Sequence, residues 1–457
     1  MERRTFLKIL SSAGIVSLVS PTFAMEVCKN KVSKSSSALL ESAFRNPPFS
    51  SGVYTWWHWM NGNITKDGIT RDLEAMKANG IAGYQLFEAG SGIPIGPVES
   101  LSDEWVDLIL HTLKESERLG LEFAMHNCPG WSSSGGPWIT PDKAMQIITW
   151  SETKITGGKQ VRIQLPTPKH MFDYYIDTYC LAIPANMKVI PRLSILELSN
   201  RLDKDGVLTW DVPTGEWLIM RFGQTAKDQK NKSAPSKSTG LDCDKFSTEA
   251  LDYHLNCMFK RLMPAMEKIA KHSKIGLLID SYETGDQDWT SDMPAYFEQS
   301  HGYELYPFLP VLANKIVESE ESTKRFLFDF RRVRADMFAE RYYGHFQKRC
   351  KEKGIITYTE PYGGNMMEEL QVAQQLDINM GEFWCGQTVL WANYKYNRTV
   401  KQVASIAHTL GGKVVGAEAF TSEPDADKWL QYPYALKSLG DYMFTRGLSR
   451  IYFHRFA

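Results

Sequence analysis

With 457 residues, 52 basic against 53 acidic side chains and a net charge of -1 without a long run of either sign, the chain offers a polyanion no electrostatic reason to bind. Its length suffices for one large domain with an insertion. Aromatic residues reach 12% and include 13 tryptophans, more than a core ordinarily needs, and indole faces stack well on the C–H faces of sugars.

Residues 1–24, MERRTFLKILSSAGIVSLVSPTFA, carry Arg3-Arg4, an apolar stretch from Ile9 to Val19 and small residues ending at Ala24. This is the pattern of a bacterial twin-arginine export signal. The stretch is too short for a spanning helix, which takes about 20 apolar residues. A cleaved signal, a periplasmic or extracellular mature protein and no stable membrane insertion follow as expectations. Cys28 lacks the small preceding residue that lipid attachment favours. Seven cysteines form no CxxC pair, and a Cys243–Cys257 disulfide is permitted by the compartment but not dictated by spacing.

A linker at residues 25–46 leads into alternating strand-like and helix-like segments. GVYTWWHW (52–59) reads as the first strand, followed by a helix with Ile69, Leu73 and Met76 on one stripe and Gly80 at its end. GIAGYQLFEA (80–89) is the second strand. Ser102 caps a helix presenting Trp105, Leu108, Ile109 and Leu113, which Gly120 ends before a third strand at 121–127. Residues 147–240 change to alternating sequence punctuated by Pro and Gly, read as an inserted β-rich module. From Ser247 a long helix through Leu251, Leu255, Phe259, Leu262 and Met266 leads to a fourth strand at 275–283. Three more strands end at Glu360, Glu382 and Glu418, with helical stretches at 321–353 and 398–410 between them, and 449–456 is the eighth. The expected fold is a (β/α)8 barrel: its first part is 47–146, the insertion lies between strands three and four, and the rest is 241–457 without a last helix.

Strand ends nominate a shared mouth: Trp57, His58 and Asn61, then Glu88, His126 and Asn127, then Glu283, Glu360, Glu382 and Glu418, and finally His454. Carboxylates crowded there separate into proton donors and acceptors, which suits glycoside hydrolysis. Glu283 and Glu418, from strands four and seven, face each other across such a barrel. Tyr282 and Trp289 are expected to wall Glu283 and favour its protonated form. Glu360 and Glu382 remain as negative charges that fit a hard cation, calcium before zinc. The segment HNCPGWSSSGGPW (126–138) fails as a serine-nucleophile elbow, because the second glycine is missing and prolines follow. It reads as a tight loop bringing Trp131 close to a ligand.

The stretches YTWWHWMNGNITKDGITRDLEAMKANGIAGYQLFEAG, LEFAMHNCPGWSSSGGPWITPDKAMQ, IDSYETGDQDWT, GAEAFTS and IYFHRFA resemble the catalytic domain of glycoside hydrolase family 106, the bacterial α-L-rhamnosidases, from about Pro47 onward. The resemblance implies exo-acting removal of terminal α-L-rhamnose by inversion, with calcium contacting the sugar. It assigns Glu283 as general acid, Glu418 as base and Glu382 as a third carboxylate near calcium. Trp57, His58, Asn127, Trp131, Glu360 and His454 are the expected sugar contacts. In two respects the chain departs from the family pattern: Tyr282 stands where Trp is expected, and the sequence stops at Ala457, before the further β-domains. A non-catalytic carbohydrate-binding remnant and another exo-glycosidase are the alternatives.

Overall fold

A computed structural model describes residues 34–272, 274–385, 389–412, 414–422 and 428–456, so the expected export signal lies outside the described residues. The chain divides into two units, Met1–Gly52 and Val53–Ala457. In the first, a helix at Lys34–Arg45 occupies what was expected to be linker. The serine-rich start conceals it in the sequence, yet the segment has neither Gly nor Pro, and Glu41 pairs with Arg45 one turn on at 3.0 Å.

The second unit is built on a closed barrel of eight parallel strands: β1 (Val53–Met60), β2 (Ile81–Ala89), β3 (Glu122–His126), β4 (Ile275–Ile279), β5 (Ile356–Thr359), β6 (Ile378–Trp384), β7 (Val415–Thr421) and β8 (Arg450–Phe456). Each pairs with its neighbours in sequence order, and β8 closes on β1 with Tyr54 opposite Tyr452. Helix α1 (Lys66–Ala78) buries Ile69, Leu73 and Met76, the stripe read from the sequence, with the Thr65 hydroxyl accepting from the Gly68 N–H at its start. Helix α2 (Asp103–Leu119) buries Trp105, Leu108, Ile109 and Leu113 and ends in left-handed Gly120.

The single long helix expected after Ser247 is two: α3 (Thr248–Phe259) and a shorter helix at Met263–Ile269. Pro264 is the reason, since it has no N–H to donate and its ring crowds the carbonyl one turn back. Helices α4 (Glu320–Met337), α5 (Val389–Leu410) and α6 (Pro433–Thr445) precede β5, β7 and β8. The insertion between β3 and β4 is confirmed as β-rich: a four-stranded sheet in the order Gln146–Thr156, Glu216–Ala226, Ile176–Pro184, Leu196–Glu197, and a two-stranded sheet of Lys159–Gln164 with Val207–Val212. Among the described residues no helix is long and apolar enough to cross a membrane.

Successive strand residues face opposite sides, and that alternation divides the core. Trp57, Trp59, Tyr84, Phe123, Met125 and Leu277 belong to a large cluster under the helices, while Tyr54, Trp56, Ala124, Leu278, Tyr358, Met380 and Tyr452 fill the barrel. Room for those rings comes from glycine: a Cβ on Gly276 would stand 2.6 Å from the Tyr358 ring. The interior is thus packed solid below the mouth.

Candidate active site

Continuing the inward parity by one step gives the uppermost ring of side chains. Asp280, Glu360, Glu382 and Glu418 follow Leu278, Tyr358, Met380 and Gly416 on strands four to seven, while His454, His58, Phe87 and His126 occupy strands eight, one, two and three. One half of the ring is acidic and the other aromatic. Glu382 and Glu418 are register partners on β6 and β7, and Glu418 lies opposite Tyr452.

Nothing below this ring solvates it. Burial, with mutual repulsion, holds the carboxyls of Asp280, Glu360 and Glu418 protonated to well above the usual range: Glu360 is opposed by Asp280, Glu418 and Glu382, and Glu418 by Glu382 and Asp280. Tyr362 donates its hydroxyl to Glu360 Oε2 at 2.5 Å, Thr421 donates to Glu418, and the Trp384 indole N–H donates to Glu382. The histidines add no positive charge to the ring. Burial lowers His126 to about 4 and His454 to about 3, and it lowers His58 well below its ordinary value, so all three are neutral at pH 7. His126 accepts from the Asp280 N–H through Nε2 at 3.4 Å and donates from Nδ1 to the Cys128 carbonyl at 2.9 Å, which fixes the start of the segment after β4. His58 packs on Phe87 at 5.4 Å and edge-on to His454 at 5.7 Å.

Glu283 lies four residues past the end of β4, not at the strand end as expected, because the sheet stops at Ile279. It lines, with Glu382, Lys232, Tyr362, Trp384 and Arg398, a cleft of about 500 Å³, inside the rough 300–1,000 Å³ span of small-ligand sites. Its electrostatic influence reaches both Asp280 and Glu418. Only part of the expected apolar wall is present: Tyr282 lines the cleft beside Glu283 but turns its ring onto Phe338 at 5.0 Å, and Trp289 is wholly buried in the outer core. Glu283 instead stands half-exposed, 3.3 Å from Lys232 Nζ.

The structure therefore brings Glu283, Glu360, Glu382, Glu418, His58 and His454 together, and Trp131 packs against the interior cluster beside them. Four expected mouth residues prove structural. Trp57 has outward parity and packs edge-on to Trp59 and Tyr84 at 5.9 and 5.2 Å, so its ring cannot face a sugar in the barrel. Asn127 is fully buried and spends its amide on the carbonyls of Leu278 and Ser133, stitching β3 to β4. Glu88 also points outward, where the Ser100 hydroxyl donates to it at 2.9 Å. Asn61 braces the following loop through the Ile93 carbonyl at 2.7 Å.

Ser132, Ser133 and Ser134 are buried, with hydroxyls engaged by the Lys232 N–H, Tyr342 and Asp242, in agreement with the loop reading. Cys243 and Cys257 are both free thiols. Residues not singled out beforehand are Asp280, Trp384 and Lys232. Asp280 was legible, since it is the first polar residue after the IGLLI run and shares the parity of Leu278. Lys232 was not, because it comes from the distant end of the insertion.

As to a cation, the donors present are hard oxygens: the buried Asp280 and Glu360 carboxyls share a hydrogen bond with each other while protonated, and Asp280 Oδ1 and Glu360 Oε1 have no partner among the other side chains. That chemistry fits calcium. Among the described residues, however, no three His, Cys, Asp or Glu side chains stand in an arrangement that would by itself hold a metal.

The profile of glycoside hydrolase family 106, described as alpha-L-rhamnosidase, matches residues 45–178 and 169–457. A protein of Formosa agariphila named "Putative beta-glucuronidase" is 40% identical over 448 residues, covering 91% of this chain and 38% of that protein. The rhamnosidase structure from Novosphingobium sp. PP1Y superposes with a TM-score of 0.82 at 24% identity, over 91% of this chain and 56% of that one. The chain thus spans well under two thirds of either relative. With most of the sequence matched by one profile and the barrel confirmed, the chain belongs to glycoside hydrolase family 106.

Proposed function

We propose that the chain removes terminal α-L-rhamnose from glycans or glycosides with inversion at the anomeric carbon. The observation that carries this reading is the acidic half-ring at the barrel mouth, which opens beside a cleft shared by Glu283 and Glu382. Glu283, on the solvent side, gives its proton to the glycosidic oxygen as the C1–O bond breaks. Glu418, inside the ring, takes a proton from the water whose oxygen bonds to C1 from the other face. Neutral His58 and His454, with Trp131, offer hydroxyl partners and an apolar face to the sugar. Glu382, with Glu360, would hold calcium, which when bound supplies positive charge that favours the ionised form of the neighbouring carboxyls. The twin-arginine pattern supports a periplasmic or extracellular location.

The test is hydrolysis of aryl α-L-rhamnosides followed by NMR of the first-formed anomer. Glu418→Gln is expected to lower turnover about 100-fold or more, and Glu283→Gln to do so for poor leaving groups. Unchanged turnover in both variants removes the mechanism, and a retained anomer removes inversion. A second reading, hydrolysis of a β-glucuronide, has the name of the Formosa agariphila relative behind it. A panel of aryl glycosides separates the two, and binding of rhamnose without cleavage of any glycoside would favour a non-catalytic domain.

A further inference from the structure

Lys232 sits in the segment that returns from the inserted sheet toward α3, and its backbone is clamped. Its N–H donates to Ser132 Oγ at 2.5 Å and its carbonyl accepts from the Trp131 N–H at 3.2 Å. Gly130 makes that approach possible: it holds φ +79, and a Cβ there would stand 2.0 Å from the Lys232 carbonyl oxygen. Next to it, Asn231 donates to the carbonyls of Pro129 and Ser238, each at 3.1 Å. From this fixed base the side chain enters the cleft and places Nζ 3.3 Å from Glu283 Oε2. The inserted module also holds the rest of the loop after β4. Lys227 donates to the Asp286 carbonyl, the Ile148 N–H donates to Asp288 Oδ1 at 2.9 Å, and the Trp289 N–H donates to the Gln146 carbonyl at 3.3 Å.

A proton donor must meet its substrate protonated, whereas an ammonium beside it favours the carboxylate. The other charged groups around Glu283 are Asp280 at the end of β4, Glu382 on β6, Glu418 on β7 and, along the cleft, Glu369 with Arg398, which pair at 3.2 Å. Among the described residues, Lys232 is the cation placed on Glu283 itself. Both partners are about half-exposed, 49% and 40%, so the contact is weak enough to exchange for another. We propose that Lys232 is a positioning residue: it holds the Glu283 carboxylate against the cleft wall in the free protein, and when the leaving group displaces the ammonium the carboxylate takes up a proton from solvent and presents it to the glycosidic oxygen. This rests on Glu283 being the proton donor.

The experiment compares Lys232→Met, Lys232→Arg and Glu283→Gln in the full chain. The Met variant should melt at the parental temperature. With the aryl glycoside that the chain cleaves, the alkaline limb of its kcat/KM profile should move upward by about half a pH unit or more, since the carboxyl loses a neighbouring cation. Lys232→Arg should restore the parental limb. An unmoved limb in Lys232→Met overturns the proposal even if Glu283→Gln is inactive on poor leaving groups. If Glu283→Gln keeps full activity there, the donor assignment falls first. Carboxyl ¹³C NMR gives the same comparison without turnover: the resonance removed by Glu283→Gln should titrate at higher pH in Lys232→Met, and coincident curves overturn the proposal.

Discussion

Glu88 and Glu360 look alike in sequence, each an acid closing an apolar run, but one residue of parity sends them to opposite sides of the sheet. Glu360 enters the acidic ring, while Glu88 is buried under the helices with Ser100 as its partner. Burial raises Glu88 from 4.5 to about 7. Because the folded value exceeds the unfolded one, the stability present below pH 4.5 is lost as pH climbs through 7. Glu88→Gln keeps an acceptor for Ser100 and does not titrate. It should therefore gain on the parent protein between pH 5 and pH 8, by up to about 3 kcal/mol. Urea unfolding at the two pH values measures this, and an equal difference at both would show that Glu88 is not the titrating group. Hydrophobic pattern found the runs readily, but it fixes register only to within a few residues, and a slip of one exchanges the mouth for the core. That is why Glu360, Glu382 and Glu418 were legible as mouth residues, and why Trp57 and Asn127 were misread.

At the scale of elements, stripes and caps were the readable signals: Ile69-Leu73-Met76, the Trp105 face, and Ser102, Ser247 and Gly120 all act as expected. Pro264 and the early end of β4 leave little mark on the apolar pattern, which therefore suggests one helix where there are two and a strand that reaches Glu283. Gly381 shows how closely the elements then approach. It faces outward from β6, and a Cβ on it would stand 2.6 Å from Val400 N in the backbone of α5. The same contact lets the Glu382 N–H donate to Thr399 Oγ1 at 2.9 Å. Gly381→Ala must push α5 away, so it should destabilise the fold by about 1–3 kcal/mol, the usual cost of overpacking. It should also lower turnover by loosening Glu382. A variant that melts like the parent but has lost activity would mean that the strand yields and the helix does not.

Over the whole molecule, positive and negative side chains nearly cancel, 52 against 53, yet their placement is uneven. Four carboxyls converge on one end of the barrel, and the three imidazoles that share the ring are neutral at pH 7. Ionising Asp280, Glu360 and Glu418, whose carboxyls are held protonated well above the usual range, costs folding stability, so groups that would do the chemistry weaken the fold as pH rises. A bound dication would relieve both problems at once. Calcium should therefore raise the unfolding free energy, by about 2.7 kcal/mol at 100 times its Kd, and the gain should be larger at pH 8 than at pH 5, where protonated carboxyls compete with it. Thermal unfolding with EDTA, magnesium and calcium at both pH values measures the effect. Glu382→Gln should shrink it, and Glu88→Gln, across the sheet from the ring, should not. If calcium and EDTA give the same melting temperature at both pH values, the acidic half-ring works without a cation, and Glu418 must gain its ionised form from substrate binding alone.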